Sequence, residues 1–399
     1  ERLKHISVDR EGEFVLNLRP KLDKVAHRLL FEVKLQDNVK VITFRSTFKV
    51  ENHTLVPVEL TVVDDAGNPT EMVRRIAPGE ECPVPIEAAY HGRIRLRPDP
   101  GFDYGWSEEA PHWQDLIKRS TRTITCMSQT PDEAPFRFQC YTSYDKQDPH
   151  SRLYPRLSLK LRAPVEVENL LPYGVQYRIF DKNLNHNWSS YLRKGGVSPI
   201  HVVELSHLLL LSIDIQSQVF APSEFAIIGT DNPDDFPVEK YLTLTDVDGL
   251  KLQLRLHYIK YPDSGGAFKV QIYSPYIFIN QAGLPFALKT KSWMGVAKLV
   301  AGQPQGATAS SSKEPEPFLF SQNSNDRRNR MLLKIGESAW SKPLSFEAIG
   351  SQTEVTIPSS TKNEEVHVGL TIEDGLGKFK LSKVVKLTPR YLITNHLGE

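Results

Sequence analysis

Four short segments of this 399-residue chain repeat one pattern, and the repeat limits what the chain can fold into. Aligned on an asparagine they read Phe48-Lys-Val-Glu-Asn52, Val165-Glu-Val-Glu-Asn169, Tyr276-Ile-Phe-Ile-Asn280 and Tyr391-Leu-Ile-Thr-Asn395, at spacings of 117, 111 and 115 residues. In each, the residues four and two places before the asparagine are apolar, the period-two signature of a strand with one buried face. The asparagine then falls at the strand end. A leucine and a proline follow at Leu55 and Pro57, Leu171 and Pro172, and Leu284 and Pro285.

A second strand matches as well. Val58, Leu60 and Val62 in the first copy align with Val175, Tyr177 and Ile179 in the second, and Asp64 with Asp181. The third copy, with Phe286 and Leu288 but then Thr290, is looser. Gly79 and Gly195 stand 27 and 26 residues after their asparagines, where a turn with positive φ is expected. Each copy closes on alternating sequence: Val39 to Phe44, Leu157 to Leu161, Phe268 to Ile272 and Phe379 to Leu381. Partner strands precede them at Leu250 to Leu256 and Val366 to Ile372, and Asp374-Gly375 reads as a hairpin turn.

A period of about 115 residues filled with short strands predicts an all-β chain of tandem β-sandwich-like modules. The boundaries read as the C-terminal part of a preceding module over 1–46 and complete modules over 47–163, 164–275 and 276–390. A further module starts over 391–399. His112 to Lys118 reads as one short helix. The stretch from Ala301 to Arg330 reads as a polar, mobile surface insertion.

Composition narrows the function. Lys+Arg total 49 and Asp+Glu 48, so the chain lacks the basic excess that neutralises nucleic-acid phosphates. Cys82, Cys126 and Cys140 are odd in number and lack metal-ligand spacing, which fits a reducing compartment. The apolar run from Val202 to Ile215 is broken by Glu204 and Asp214, short of a membrane span. The chain opens and closes in strand-like sequence and reads as a segment of a longer protein.

Catalytic and metal constellations are missing from the sequence, so no metal, cofactor or enzymatic activity is expected. Asp263-Ser264-Gly265-Gly266 resembles a serine-protease nucleophile segment, but Pro262 precedes it and no base-supplying element exists, so it reads as a hairpin loop. Asn52, Asn169, Asn280 and Asn395 have two readings: a carboxamide that satisfies the backbone of the next turn, which is preferred, or a group that bonds a docked peptide. Trp-Ser recurs at 106–107, 188–189 and 340–341; the first and third are read as equivalent, the second as coincidence, and the tryptophans as core residues. Alternating strands also speak against the continuous apolar groove that a lipid carrier needs.

Taken together, the strand-plus-asparagine motif, Asn-Leu-Leu-Pro at 169–172, Asn-Gln-Ala-Gly-Leu-Pro at 280–285, Tyr-Gly-Trp-Ser at 104–107 and Pro-Arg-Tyr-Leu at 389–392 resemble the adaptor-binding region of the vacuolar protein sorting-associated protein 13 family of bridge-like lipid-transfer proteins. The resemblance implies six such modules, each with its asparagine, in an elongated or curved array. It implies recruitment of organelle adaptor proteins through short Pro-x-Pro segments, on the cytosolic face of membrane contact sites and without insertion into the bilayer. The family's main peptide site lies in its last two modules, so an architectural spacer with no peptide binding of its own is the alternative.

Overall fold

The computed structural model describes residues 3–21, 24–292, 294–303, 315–322, 328, 330–361 and 363–394. Nearly all regular structure is strand, as the alternating sequence predicts, and the chain is all-β. It divides into two compact units: Glu1–Glu166 with Pro199–His207 and Ile259–Lys269, and Val167–Ser198 with Leu208–Tyr258 and Val270–Glu399.

Strands β1 (Gly12–Asn17), β2 (Arg28–Gln36) and β3 (Val39–Ser46) form an antiparallel three-stranded sheet in chain order. Next come β4 (Phe48–Asn52), β5 (Val58–Val63), β6 (Arg74–Ile76), β7 (Glu81–Pro83), β8 (Arg93–Pro98), β9 (Tyr104–Ser107), α1 (Trp113–Lys118), β10 (Thr121–Ser128), β11 (Phe136–Tyr144) and β12 (Leu157–Arg162). They make a six-stranded sheet, β7-β4-β12-β11-β10-β9, and a three-stranded one, β6-β5-β8. Phe48, Val50, Leu159 and Leu161 of the first share one core with Val58, Leu60, Ile94 and Leu96 of the second. The first and last long strands, β4 and β12, pair in parallel, with Phe48 opposite Leu157.

The next strands are β13 (Val165–Asn169), β14 (Val175–Asp181), β15 (His186–Leu192), β16 (Val197–Ile200), β17 (Leu209–Asp214), β18 (Ala226–Gly229), β19 (Tyr241–Thr245), β20 (Lys251–Lys260) and β21 (Phe268–Tyr273). Their sheets run β16-β13-β21-β20-β19 and β15-β14-β17-β18. The last set is β22 (Tyr276–Asn280), β23 (Phe286–Lys291), β24 (Lys298–Leu299), β25 (Phe318–Phe320), β26 (Arg330–Ile335), β27 (Gln352–Pro358), β28 (Glu365–Asp374) and β29 (Lys383–Pro389). These form β25-β22-β29-β28-β27 and β24-β23-β26, and β22 again pairs in parallel with the closing strand, β29. Tyr276, Phe278, Val385 and Leu387 share a core with Leu288, Met331 and Leu333.

The same strand order therefore recurs behind each of the first three asparagines. The expected helix is α1, capped by His112 and Asp115, and it buries Trp113 and Leu116. Gly79 and Gly195 have φ of +80° and +67°, as the turns require.

Three local readings are corrected. The stretch 301–330 is not a surface insertion throughout, because Phe318-Leu-Phe320 pairs with β22 as an edge strand and buries Leu319 and Phe320; residues 304–314, 323–327 and 329 of it lie outside the described residues. Phe379 to Leu381 is not a strand: Phe379 N donates to Leu376 O and Ser382 N to Phe379 O, at 3.1 Å each, so the chain coils through a 3₁₀ turn before β29. The link from β28 to β29 is consequently longer than a tight Asp374-Gly375 turn. Residues 391–394 carry no strand, and Asn395 lies outside the described residues.

Candidate functional site

Each described motif asparagine ends its strand and folds its carboxamide onto the following turn. Thr54 N donates to Asn52 Oδ1 at 3.0 Å, Leu171 N to Asn169 Oδ1 at 3.0 Å, and Ala282 N to Asn280 Oδ1 at 3.1 Å. The same side chain's Nδ2 then donates to the carbonyl four residues on: Val56 at 2.9 Å, Tyr173 at 2.8 Å and Leu284 at 2.6 Å. An asparagine suits the place because one planar group offers both an acceptor and two donors.

The first two asparagines reach further. Asn52 Nδ2 also donates to Ile76 O at 3.0 Å, the end of β6, and Asn169 Nδ2 to Leu192 O at 3.1 Å, the end of β15. Each asparagine thus links a strand of one sheet to a strand of the other. Asn52 and Asn169 are fully buried, whereas Asn280 is half-buried.

The Trp-Ser pairs at 106–107 and 340–341 occupy equivalent places. Ser107 Oγ accepts from Leu96 N at 3.2 Å and Ser341 Oγ from Leu333 N at 3.0 Å. Both tryptophans are half-buried under a cation, Arg97 at 4.4 Å from the Trp106 ring centre and Lys289 at 4.2 Å from Trp340. They are therefore not core residues, a departure from the sequence expectation. Trp188 lies on β15, remote from this position in the repeat, and the intervening copy uses Ser223, whose Oγ accepts from Ile213 N at 2.9 Å. Sequence reading missed Ser223 because Pro222 stands where the tryptophan would. Its spacing of 54 residues from Asn169 was the available signal.

The serine-protease-like segment is a packed loop. Ser264 is 2% exposed and donates to Tyr261 O at 2.7 Å within its own turn, while Gly265 O accepts from Gln139 Nε2 at 3.0 Å. A hydroxyl buried and committed in this way lacks access to a substrate. Among the described residues no three His, Cys, Asp or Glu side chains come together to hold a metal ion. No helix among them is long and apolar enough to cross a membrane.

The sheets do offer an edge. β10 is covered on its far side by β9, with Cys126 opposite Ser107, and β19 by residues 221–224, where Ala221 N donates to Thr245 O and Glu224 N to Thr243 O at 3.0 Å each. Their counterpart β27 pairs with β28 through Gln352–Pro358, and on its other side Ala339 N meets only Pro358 O. Among the described residues, no backbone group pairs with the far side of Gln352 to Ile357. That edge carries no lysine or arginine of the kind that guards sheet edges. No sequence signal distinguished it, since the cover on β10 and β19 comes from the stretch that precedes each strand, and the pattern of β27 does not record whether such a stretch docks on it.

Known proteins resemble the chain throughout its length. A family model described as "Vacuolar-sorting associated protein 13, adaptor binding domain" matches residues 1–399. The intermembrane lipid transfer protein VPS13 of Chaetomium thermophilum is 46% identical over 401 residues, covering 100% of this chain and 12% of that protein. Human VPS13C is 24% identical over 409 residues, covering 98% of this chain and 10% of that protein, and vps13E of Dictyostelium discoideum is 21% identical over 419 residues, covering 92% and 9%. The chain thus spans about a tenth of the length of the relatives it matches.

Proposed function

Because this chain belongs to the vacuolar-sorting associated protein 13 adaptor-binding domain family, we propose that it is a non-catalytic scaffold that binds adaptor proteins through short Pro-x-Pro segments. On this reading it helps recruit a bridge-like lipid-transfer protein, of which it is one part, to organelle membranes. It works on the cytosolic face of membrane contact sites without entering the bilayer. The successive sheet pairs are the family's modules, and the coarse function rests on the family itself.

The observation that carries the peptide-binding step is the open side of β27. An extended peptide can add there as one more strand, with main-chain hydrogen bonds giving affinity and alternate side chains giving selectivity. A Pro-x-Pro segment suits an edge, because proline donates no hydrogen bond and its fixed φ lowers the entropy lost on binding.

The asparagines have a structural role in this proposal. Asn52 and Asn169 are buried and spend both ends of the carboxamide on their own turns. They hold the layers together rather than touch a ligand. The same geometry favours the second reading, a spacer that supports an adaptor site elsewhere.

Amide hydrogen exchange with and without a saturating Pro-x-Pro peptide tests the placement. Slowed exchange confined to Gln352–Ile357 supports binding at β27. Protection elsewhere, or none at all, removes this edge as the site.

A further inference from the structure

The positions of the asparagine strand that alternate with its core residues change character along the chain, and Glu166, Glu168 and Ile277 among them are themselves buried. In β4 they are Lys49 and Glu51, joined at 3.2 Å, with Lys49 also 2.6 Å from Glu81. In β13 they are Glu166, which accepts from Tyr261 Oη at 2.6 Å, and Glu168, which accepts from Gln271 Nε2 at 2.7 Å. In β22 they are Ile277 and Ile279. One sheet face is therefore apolar where its counterparts are charged, although the opposite face of β22 already supplies the core residues Tyr276 and Phe278.

Ile277 and Ile279 floor a groove of about 290 Å³, walled by Pro172, Leu376, Phe379 and Val384. Leu376 stands at its mouth 88% exposed. A large apolar side chain left in water beside an apolar hollow marks an interaction site better than a scattered exposed leucine does.

The rim charges narrow the occupant. Lys386 is paired with Glu373 at 2.5 Å, and Lys378 with Glu168 at 3.4 Å. Lys194 lies 5.6 Å from the Phe379 ring centre, and among the described residues neither it nor the rim carboxylate of Asp374 has an oppositely charged partner. One cation and one anion are thus left at the mouth of an apolar hollow.

We propose that this groove docks a short linear peptide of a partner protein, with two bulky apolar side chains entering it and one acidic and one basic residue flanking them to meet Lys194 and Asp374. The groove is lower in volume than most small-molecule sites but holds apolar anchors of the kind that dominate protein–protein affinity. This extends the adaptor-binding reading with a site that has no need of proline and lies on a sheet face, not on the β27 edge.

The test is a fluorescence-anisotropy titration of the whole chain with a labelled Gly-Asp-Leu-Leu-Lys-Gly peptide, beside versions carrying Ser-Ser for Leu-Leu, Asp for Lys, or Lys for Asp. Saturable binding is expected, weakened roughly tenfold or more, about 1.4 kcal/mol, by the Ser-Ser change and by Ile279→Glu, which restores a charge of the kind β4 and β13 carry. Leu376→Ser, at an exposed position, gives a second variant whose folding is not in question and is expected to weaken binding. Each like-charged peptide should bind less well than the Asp/Lys one. No saturable binding, equal binding of the Ser-Ser peptide, or indifference to both substitutions overturns the proposal. A Pro-x-Pro peptide titrated against Ile279→Glu separates the two readings: unchanged affinity there, with loss of the Leu-Leu peptide, identifies two independent sites, whereas parallel loss of both overturns the groove as a separate site.

Discussion

The side-chain amide of Asn169 donates to the backbone carbonyl of Leu192, 23 residues further on, at 3.1 Å. That bond crosses from β13 in one sheet to the end of β15 in the other, and Asn52 makes the same crossing to Ile76. In these two copies the asparagine is in this sense a clip between layers.

Replacing it should therefore cost stability before it costs binding. Asn169→Ala leaves the Leu171 N–H and the Tyr173 and Leu192 carbonyls without their partner, at about 1–3 kcal/mol for each buried group that stays unpaired. Urea denaturation should show a clear loss for Asn169→Ala and Asn52→Ala, and a smaller one for the half-buried Asn280→Ala. An Asn169→Ala chain as stable as the parent, with altered partner binding, would transfer the residue to a ligand role.

Acid should weaken the first unit through His201. Burial pushes this imidazole from an ordinary 6.5 down to about 4, against the opposing effect of its hydrogen bond to Arg137 O. Its Nδ1 is committed to that carbonyl, and its Nε2 is buried with no hydrogen-bond partner among the described residues. Between pH 6.5 and 4 the unfolded chain binds a proton that the folded chain refuses, so stability present above pH 6.5 falls as the pH drops through that window. The loss is about 3 kcal/mol at most. His201→Gln should flatten the stability profile over this range, and an unchanged slope would mean that other groups set it.

The three thiols should be silent in the folded chain. Cys126 and Cys140 are completely buried, Cys82 nearly so, and burial pushes all three thiols up, Cys126 to about 12. A chromogenic disulfide reagent at pH 8 should therefore react only after denaturant is added, because the thiolate is the nucleophile. Rapid reaction of the native chain would contradict the packing around β10 and β11.

The equivalence of Ser107, Ser223 and Ser341 can be tested directly. Ser223→Ala and Ser341→Ala each leave a backbone N–H, of Ile213 or Leu333, without its acceptor, and should each destabilise by roughly 1–2 kcal/mol. Trp340→Ala should cost less affinity for the fold than the residue type suggests, since its ring lies beneath Lys289 instead of in the core. A larger loss for Trp340→Ala than for Ser341→Ala would reverse that assignment.

What the sequence disclosed and what it concealed divide along the range of the interactions. The asparagine motif was legible because its turn is local, joining residues two and four places apart. Strand alternation was legible for the same reason. Ser223 stayed hidden because its neighbour is Pro222, so a search for Trp-Ser passed over a serine with the same hydrogen bond. Phe318 to Phe320 was lost in a polar stretch, although pairing with β22 makes it a strand. Phe379 to Leu381 alternates like a strand, but Gly377, at φ +58°, opens a 3₁₀ turn there and delays β29 to Lys383. The side of β27 that is unpaired among the described residues and the apolar hollow over Ile277 and Ile279 depend on contacts between separate strands and loops, which no local pattern encodes.

Adaptor binding is most directly tested by fluorescence anisotropy with a labelled Pro-x-Pro adaptor peptide titrated with the chain, alongside the same peptide with both prolines changed to alanine. Saturable binding of the proline peptide is expected, with at least roughly tenfold weaker binding of the alanine one. No binding by a chain that melts cooperatively would contradict it, and would leave these residues as the spacer for a site elsewhere.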